Sequence, residues 1–353
     1  MFGFWLSHLT LPLLGLWSSQ PRSDAEDSPS LCLHSKTLER LAECLEEFIV
    51  PRGYYDRVSY NAAQPDMSQR TAWSSVISSL HVDGNCSSIQ VPVSLKGLYD
   101  VVTFTETTGA SFCAVSRNVH ISAPHSGFDV GTPAQAAYIF KATGSKSLLI
   151  AGRTRTEFLN PSPCISTAFL SGYYETDPAH NNREPFFDAS LAIYDWQQRR
   201  GCPSSTCAYI QIHGKGSATC PLDQIFLSAG LALALSPPLG TFNVGRYING
   251  VDEHSVCHTA ADPSKLSGEF VHVEQDDTSR GAESYRMWAA AVRKTFGTTC
   301  GEGMSVDPNT GLCAYSRPRG PAGDPVFDFV MFPGLSRSVR AQWLMWIPLL
   351  NNL

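Results

Sequence analysis

Four residues with metal chemistry sit just past apolar runs of this chain: His125 and Asp129, His213, and Glu274. A catalytic zinc site needs three protein ligands and an open position. It also needs a general base that is not itself a ligand. His125 and Asp129 lie in one loop and can supply two ligands. His213 follows Tyr209-Ile-Gln-Ile212 and precedes Gly214, where backbone can approach closely. Glu274 ends Phe270-Val-His-Val273 and is the candidate base. The spacing His-x-x-x-Asp also suits one face of a helix, but Pro124 and Gly127 argue for a loop.

The elements that must position these residues can be read around them. The run Val119 to Ala123 predicts a strand, the polar turn through Gly127 follows, and Thr132-Pro133-Ala134-Gln135 predicts a helix start. Thr132 is the expected cap, Pro133 suits the first turn, and Gln135 can close a capping box. That helix should end near Thr143 with Gly144 as its C-terminal cap. Ser147 to Gly152, Cys207 to Ile212 and Glu269 to Glu274 predict further strands, and Asp223 to Ala229 a shorter one. Apolar residues at helical spacing predict helices over Thr37 to Val50, Arg183 to Arg199 and Glu283 to Phe296. Short apolar runs in Ser87 to Thr105 predict two strands, while Arg52 to Asn85 carries no clear pattern. Strands alternating with helices predict an α/β fold, a mostly parallel or mixed central sheet flanked by helices. In such sheets the ligand site lies beyond the carboxyl ends of the strands, where all four candidates fall.

Other polar residues cluster in the same places. Arg153 and Arg155 follow a strand, where a guanidinium can stabilise a developing oxyanion or clamp a substrate carboxylate; a salt-bridged role fits each equally. His180 and Asn181 open a helix and are candidates for substrate contact, with helix capping the alternative for Asn181. His120 and His272 lie within strands and read as packed residues. His254 and His258, near Cys257, are weaker ligand candidates. There is no Gly-x-Ser-x-Gly elbow, phosphate-binding loop or dinucleotide fingerprint.

The chain has 353 residues, 43% of them hydrophobic and 16% charged, enough for one large domain with a core. The formal net charge of −6, with no basic block, excludes nucleic acid as an expected partner. Residues 1–20 are apolar and resemble a secretory signal peptide, too short for a membrane span, so a secreted protein with no span after cleavage is expected. Residues 31–300 then form a single α/β domain and 301–353 an irregular extension with an apolar tail. All 11 cysteines lie beyond the signal segment, so disulfides are expected, with Cys202–Cys207 and Cys300–Cys313 as nearest-neighbour candidates and one thiol left over. Asn85-Cys86-Ser87 is a glycosylation sequon.

The stretch His125 to Thr132 with its helix, Ile212-His-Gly214 and Phe270-Val-His-Val-Glu-Gln275 together resemble the N-formylglutamate amidohydrolase and poly-γ-glutamate hydrolase families. The resemblance covers roughly Cys113 to Phe296. It implies a zinc carboxypeptidase-like (phosphorylase/hydrolase-like) fold and zinc-dependent hydrolysis of an amide bond in a small-molecule or peptide substrate. His125, Asp129 and His213 would be the ligands and Glu274 the base. In zinc carboxypeptidases the first pair is His-x-x-Glu; here the acid is Asp129, at longer spacing. Those enzymes hold a terminal carboxylate with an Asn-Arg pair, which Asn182-Arg183 matches as a dipeptide. Two other classes stay open: a metal-free binding protein on the same scaffold, and a zinc-dependent ester hydrolase.

Overall fold

The computed structural model describes residues 29–80, 91–95, 116–164, 173–199, 201–202, 206–229, 242–315 and 344–345. Four parallel strands make the centre of its main sheet: β1 (Arg117–Ala123), β2 (Ser145–Ile150), β3 (Cys207–Gly214) and β5 (Phe270–Gln275). A fifth strand, β4 (Ile225–Ser228), runs antiparallel along the outer edge of β5. The order is β4-β5-β3-β1-β2, and a two-residue strand, β8 (Leu344–Met345), pairs with β2 at the other edge. The fold is thus α/β with a mixed sheet.

Side-chain alternation gives the sheet two unlike faces. Val119, Ile121, Leu148, Ile150, Ala208, Ile210, Ile212 and Val273 point to one side and form an apolar core with α1 (Leu38–Glu46), α4 (Thr132–Thr143) and α8 (Tyr285–Thr295). The opposite face carries Tyr209 and Phe270 at its lower end, packed under α3 (Met67–Leu80), α5 (Pro185–Arg199) and α6 (Asn243–Ile248). Toward the carboxyl ends of the strands this face turns polar: Gln211 and His213 on β3 stand beside His272 and Glu274 on β5 in direct register. From β1 the chain passes through α4 to β2 on one side, then returns through α5 to β3 on the other. The direction of winding therefore switches between β1 and β3, which opens a crevice above their ends.

Several local expectations are modified. α1 begins after its cap Thr37 but stops at Glu46, short of Pro51. The unpatterned segment after Arg52 holds α2 (Arg57–Ala62), capped by an Asp56–Ser59 box, and α3. Strand β3 runs on through His213, which packs between neighbouring strands, so the ligand candidate stands on rigid sheet. Thr132 does not cap α4. Gly131, at φ 87°, takes the cap position, and the Thr132 hydroxyl donates back to the Asp129 carbonyl. Gln135 closes no capping box, because its amide is drawn into the core to bond Gln275 and the Ser279 carbonyl. Gly144 caps the other end at φ 59°, as expected.

Residues 301–315, expected to be irregular, contain a hairpin of β6 (Met304–Val306) and β7 (Cys313–Tyr315) tied down by the Cys300–Cys313 disulfide. α7 (Asp277–Arg280) links β5 to α8. Cys202–Cys207 is likewise formed, and Cys32–Cys44 and Cys164–Cys257 add two bridges; Cys220 is free and exposed. The four disulfides among the described residues fit an oxidising environment. No helix among the described residues is long and apolar enough to cross a membrane. The signal segment, the Asn85 sequon and the apolar tail other than 344–345 lie outside the described residues. So do the two strands expected in Ser87 to Thr105, apart from residues 91–95, where Val93–Leu95 form a 3-10 turn.

Candidate metal centre

The loop after β1 makes one helix-like turn. The Asp129 amide donates to the His125 carbonyl at 2.9 Å, which brings the Asp129 carboxylate beneath its own histidine. His125 Nδ1 lies 3.0 Å from Asp129 Oδ2. From the end of β3, His213 Nδ1 comes within 3.1 Å of His125 Nδ1 and 3.6 Å of Asp129 Oδ2. The three sequence-predicted ligands thus converge on one point, and all three are buried.

The protonation of this group follows from its outer partners. His125 Nε2 faces Asp177 Oδ1 at 3.1 Å, and His213 Nε2 faces Gln211 Oε1 at 3.1 Å. Both oxygens accept, and His125 has a second carboxylate, Asp129, at Nδ1. With a cation among the three groups, each ring would keep its proton on Nε2 and turn its Nδ1 lone pair inward beside the Asp129 carboxylate. Ligands ~2.0–2.2 Å from a tetrahedrally held ion stand roughly 3.3–3.6 Å apart. One edge of the triangle, 3.6 Å, has that length, and the other two, 3.0 and 3.1 Å, are shorter and of hydrogen-bond length. The three residues are of the right type and close enough to hold a metal ion after a small outward shift.

Without one, a proton on His125 is the remaining way to join them. Burial and Arg155 push the His125 pKa down, but Asp129 and Asp177 outweigh them and hold it above its ordinary value. Burial drives His213 down to about 3, so it stays neutral. Asp129 is held far below the usual carboxylate range: burial opposes this, and the His125 and His213 contacts prevail.

Two other buried groups have metal-ligating composition, His125–Asp177–His180 and His213–His272–Glu274. The first already has its cation, since Arg155 reaches Asp177 Oδ2 at 2.5 Å. Its Asp177 Oδ1 also takes His125 Nε2, His180 Nδ1 at 2.9 Å and the Ala179 amide. In the second, the Nδ1 of His213 is turned to His125 and Asp129. The first-described triangle is the one whose facing atoms have no other use.

Glu274 stands opposite His213 in the β3–β5 register, and its side chain is 18% exposed. Burial raises its pKa, but His272 and His213 outweigh that and leave it below the ordinary value, hence ionised at neutral pH. Arg155, 20% exposed, lies between the rings of Phe128 and Tyr173 at the margin of the site. His180 stacks on Tyr173 at 3.5 Å and is kept neutral by burial, its pKa lowered to about 4.

Arg153 goes elsewhere. It is fully buried between Glu157 (3.1 Å) and Glu184 (3.0 Å), under Tyr55 and Tyr60, so its guanidinium has structural partners. Asn181 holds a turn: its amide donates to the Glu175 carbonyl and its oxygen accepts from the Arg183 backbone. His120 bonds Ser147, as suits a packed residue, and the exposed His254 and His258 belong to no metal-ligating group among the described residues.

Sequence reasoning missed Asp177, which gathers His125, His180 and Arg155 around one carboxylate. The signal was the run Asp177-Pro-Ala-His180, in which an acid stands three residues before a histidine at a turn. It also read His272 as simply packed, whereas its ring lies 4.6 Å from His213. Comparison with protein-family models, with curated proteins and with solved structures finds no match.

Proposed function

We propose that this chain is a secreted zinc-dependent hydrolase that cleaves an amide bond in a small acyl-amino acid or a γ-linked peptide. The observation that carries the reading is the convergence of His125 Nδ1, Asp129 Oδ2 and His213 Nδ1, three buried groups of ligand type, on one point. Two imidazoles and one carboxylate suit zinc better than magnesium or calcium, which prefer all-oxygen shells. His125, Asp129 and His213 would hold the ion. Bound there, zinc supplies a Lewis acid for a carbonyl and lowers the pKa of water. The chain's own residues supply the proton transfers and the grip on the substrate. Glu274, ionised and partly open to the crevice, takes the proton of the attacking water and passes it to the leaving amine. Arg155 binds a substrate carboxylate, and Phe128 and Tyr173 keep its guanidinium in place. Asp177 and Gln211 hold the ligand histidines in the tautomer that offers Nδ1. The motif resemblance to amidohydrolases points to the same bond.

The test is metal content of the secreted protein after mild dialysis, beside His213→Ala. About one zinc per wild-type chain, lost in the variant, is the expected result. N-formyl-L-glutamate, a γ-glutamyl anilide and the corresponding ester then identify the bond. A well-folded wild type that takes up no zinc when it is offered would overturn the hydrolase and leave a binding protein.

A further inference from the structure

His272 is buried on the crevice side of β5, two residues before Glu274. Its Nδ1 lies 3.2 Å from Ser228 Oγ, contributed by β4 in direct antiparallel register with it. Its Nε2 lies 3.3 Å from Glu274 Oε1, an ion-pair contact without hydrogen-bond geometry, and has no other polar partner. Phe242 closes over the ring with centroids 4.0 Å apart, so the imidazole has little room to turn.

Of the two neutral tautomers, one satisfies both ends. A carboxylate accepts and cannot donate, so the proton facing it must be on Nε2. Nδ1 is then a bare acceptor, and the Ser228 hydroxyl, which can donate, completes the chain. The opposite tautomer would turn a nitrogen lone pair on a carboxylate inside the protein, the arrangement that buried polar groups avoid.

We propose that Ser228 and His272 are positioning residues for Glu274: the hydroxyl sets the tautomer of His272, and the Nε2 proton holds one carboxylate oxygen so that the other faces the crevice. This rests on the reading of Glu274 as the base. The arrangement explains why an antiparallel edge strand belongs to the site. β4 adds no ligand and no base, but it places the hydroxyl that orients the base.

The experiment has one arm that needs no substrate. Long-range proton–nitrogen spectra of protein labelled with nitrogen-15 histidine should show His272 protonated at Nε2, with the neutral mixture of tautomers appearing in Ser228→Ala. A resonance protonated at Nδ1 in the wild type would overturn the proposal. The second arm follows hydrolysis of N-formyl-L-glutamate and of a γ-glutamyl anilide. His272→Leu should keep its zinc and its KM within about twofold while kcat falls roughly 10²-fold, the scale of a general-base contribution. His272→Gln, which restores an N–H toward Glu274, should recover part of that loss. Unchanged kcat in His272→Leu, or zinc lost together with activity, would overturn a positioning role. If the wild type binds zinc and shows the expected tautomer but cleaves neither probe, the hydrolase reading fails while the Ser228–His272–Glu274 chain stands.

Discussion

Asp177 decides how the centre is set. A histidine that binds a metal through one nitrogen needs its other nitrogen held, and such outer partners are typically worth 10–100-fold in metal affinity. Asp177 holds His125 in this way, while Arg155 neutralises the second carboxylate oxygen. Asp177→Asn keeps the shape but loses the charge. Zinc affinity should fall roughly 10–100-fold in competition with a chelator. An unchanged affinity would show that the loop alone orients His125. At this scale the candidate residues were legible, because His125, Asp129 and His213 lie just past apolar runs and are of ligand type. The outer partners were not. Asp177 is 48 positions beyond Asp129 in an irregular stretch, and only the packing of that stretch over the crevice brings it to His125.

The elements hold the site through a small number of buried polar bonds. Gln135 on α4 and Gln275 on β5 exchange amide hydrogen bonds at 3.1 and 2.6 Å, with both side chains fully buried. This pair fixes the helix that follows the ligand loop to the strand that carries Glu274. Gln135→Leu should cost about 1–3 kcal/mol in urea unfolding, because it leaves Gln275 without its partner. Replacing both by Leu should cost less than the sum of the single changes; a strictly additive result would argue against the pair. Gly214 shows a second such constraint. A side chain there would collide with the guanidinium of Arg280, which crosses the end of β3 to reach the Val130 carbonyl in the ligand loop. Strands and helices around the site were readable from periodicity. The capping of α4 was not, since Gln135 was claimed by a partner 140 residues away in sequence.

For the whole molecule, the buried charges make stability depend on pH in a direction that can be worked out. Glu157 and Glu184 face Arg153 in the interior, and burial pushes Glu157 from 4.5 up to about 8, against the opposing pull of Arg153. A carboxyl whose folded pKa is raised binds its proton more tightly when folded. Its penalty is absent below about 4.5, grows as the unfolded chain ionises, and is complete near pH 8. Denaturant stability should therefore fall between pH 5 and about 8, and Glu157→Gln should flatten that slope. A variant with the wild-type slope would remove Glu157 as its source.

The sequence by itself determined the α/β alternation, the strands that lead to His213 and Glu274, the loop after β1, and two of the four disulfides among the described residues, because these depend on local period, turn residues and near neighbours in the chain. Only the tertiary structure decided that Arg153 is spent on Glu157 and Glu184, that Arg155, Asp177 and His180 gather beside His125, and that His272 belongs with Glu274. The physical reason is the same in each case. A buried polar group must find a partner, and which partner it finds is set by the strand order and by the segments that fold across the crevice.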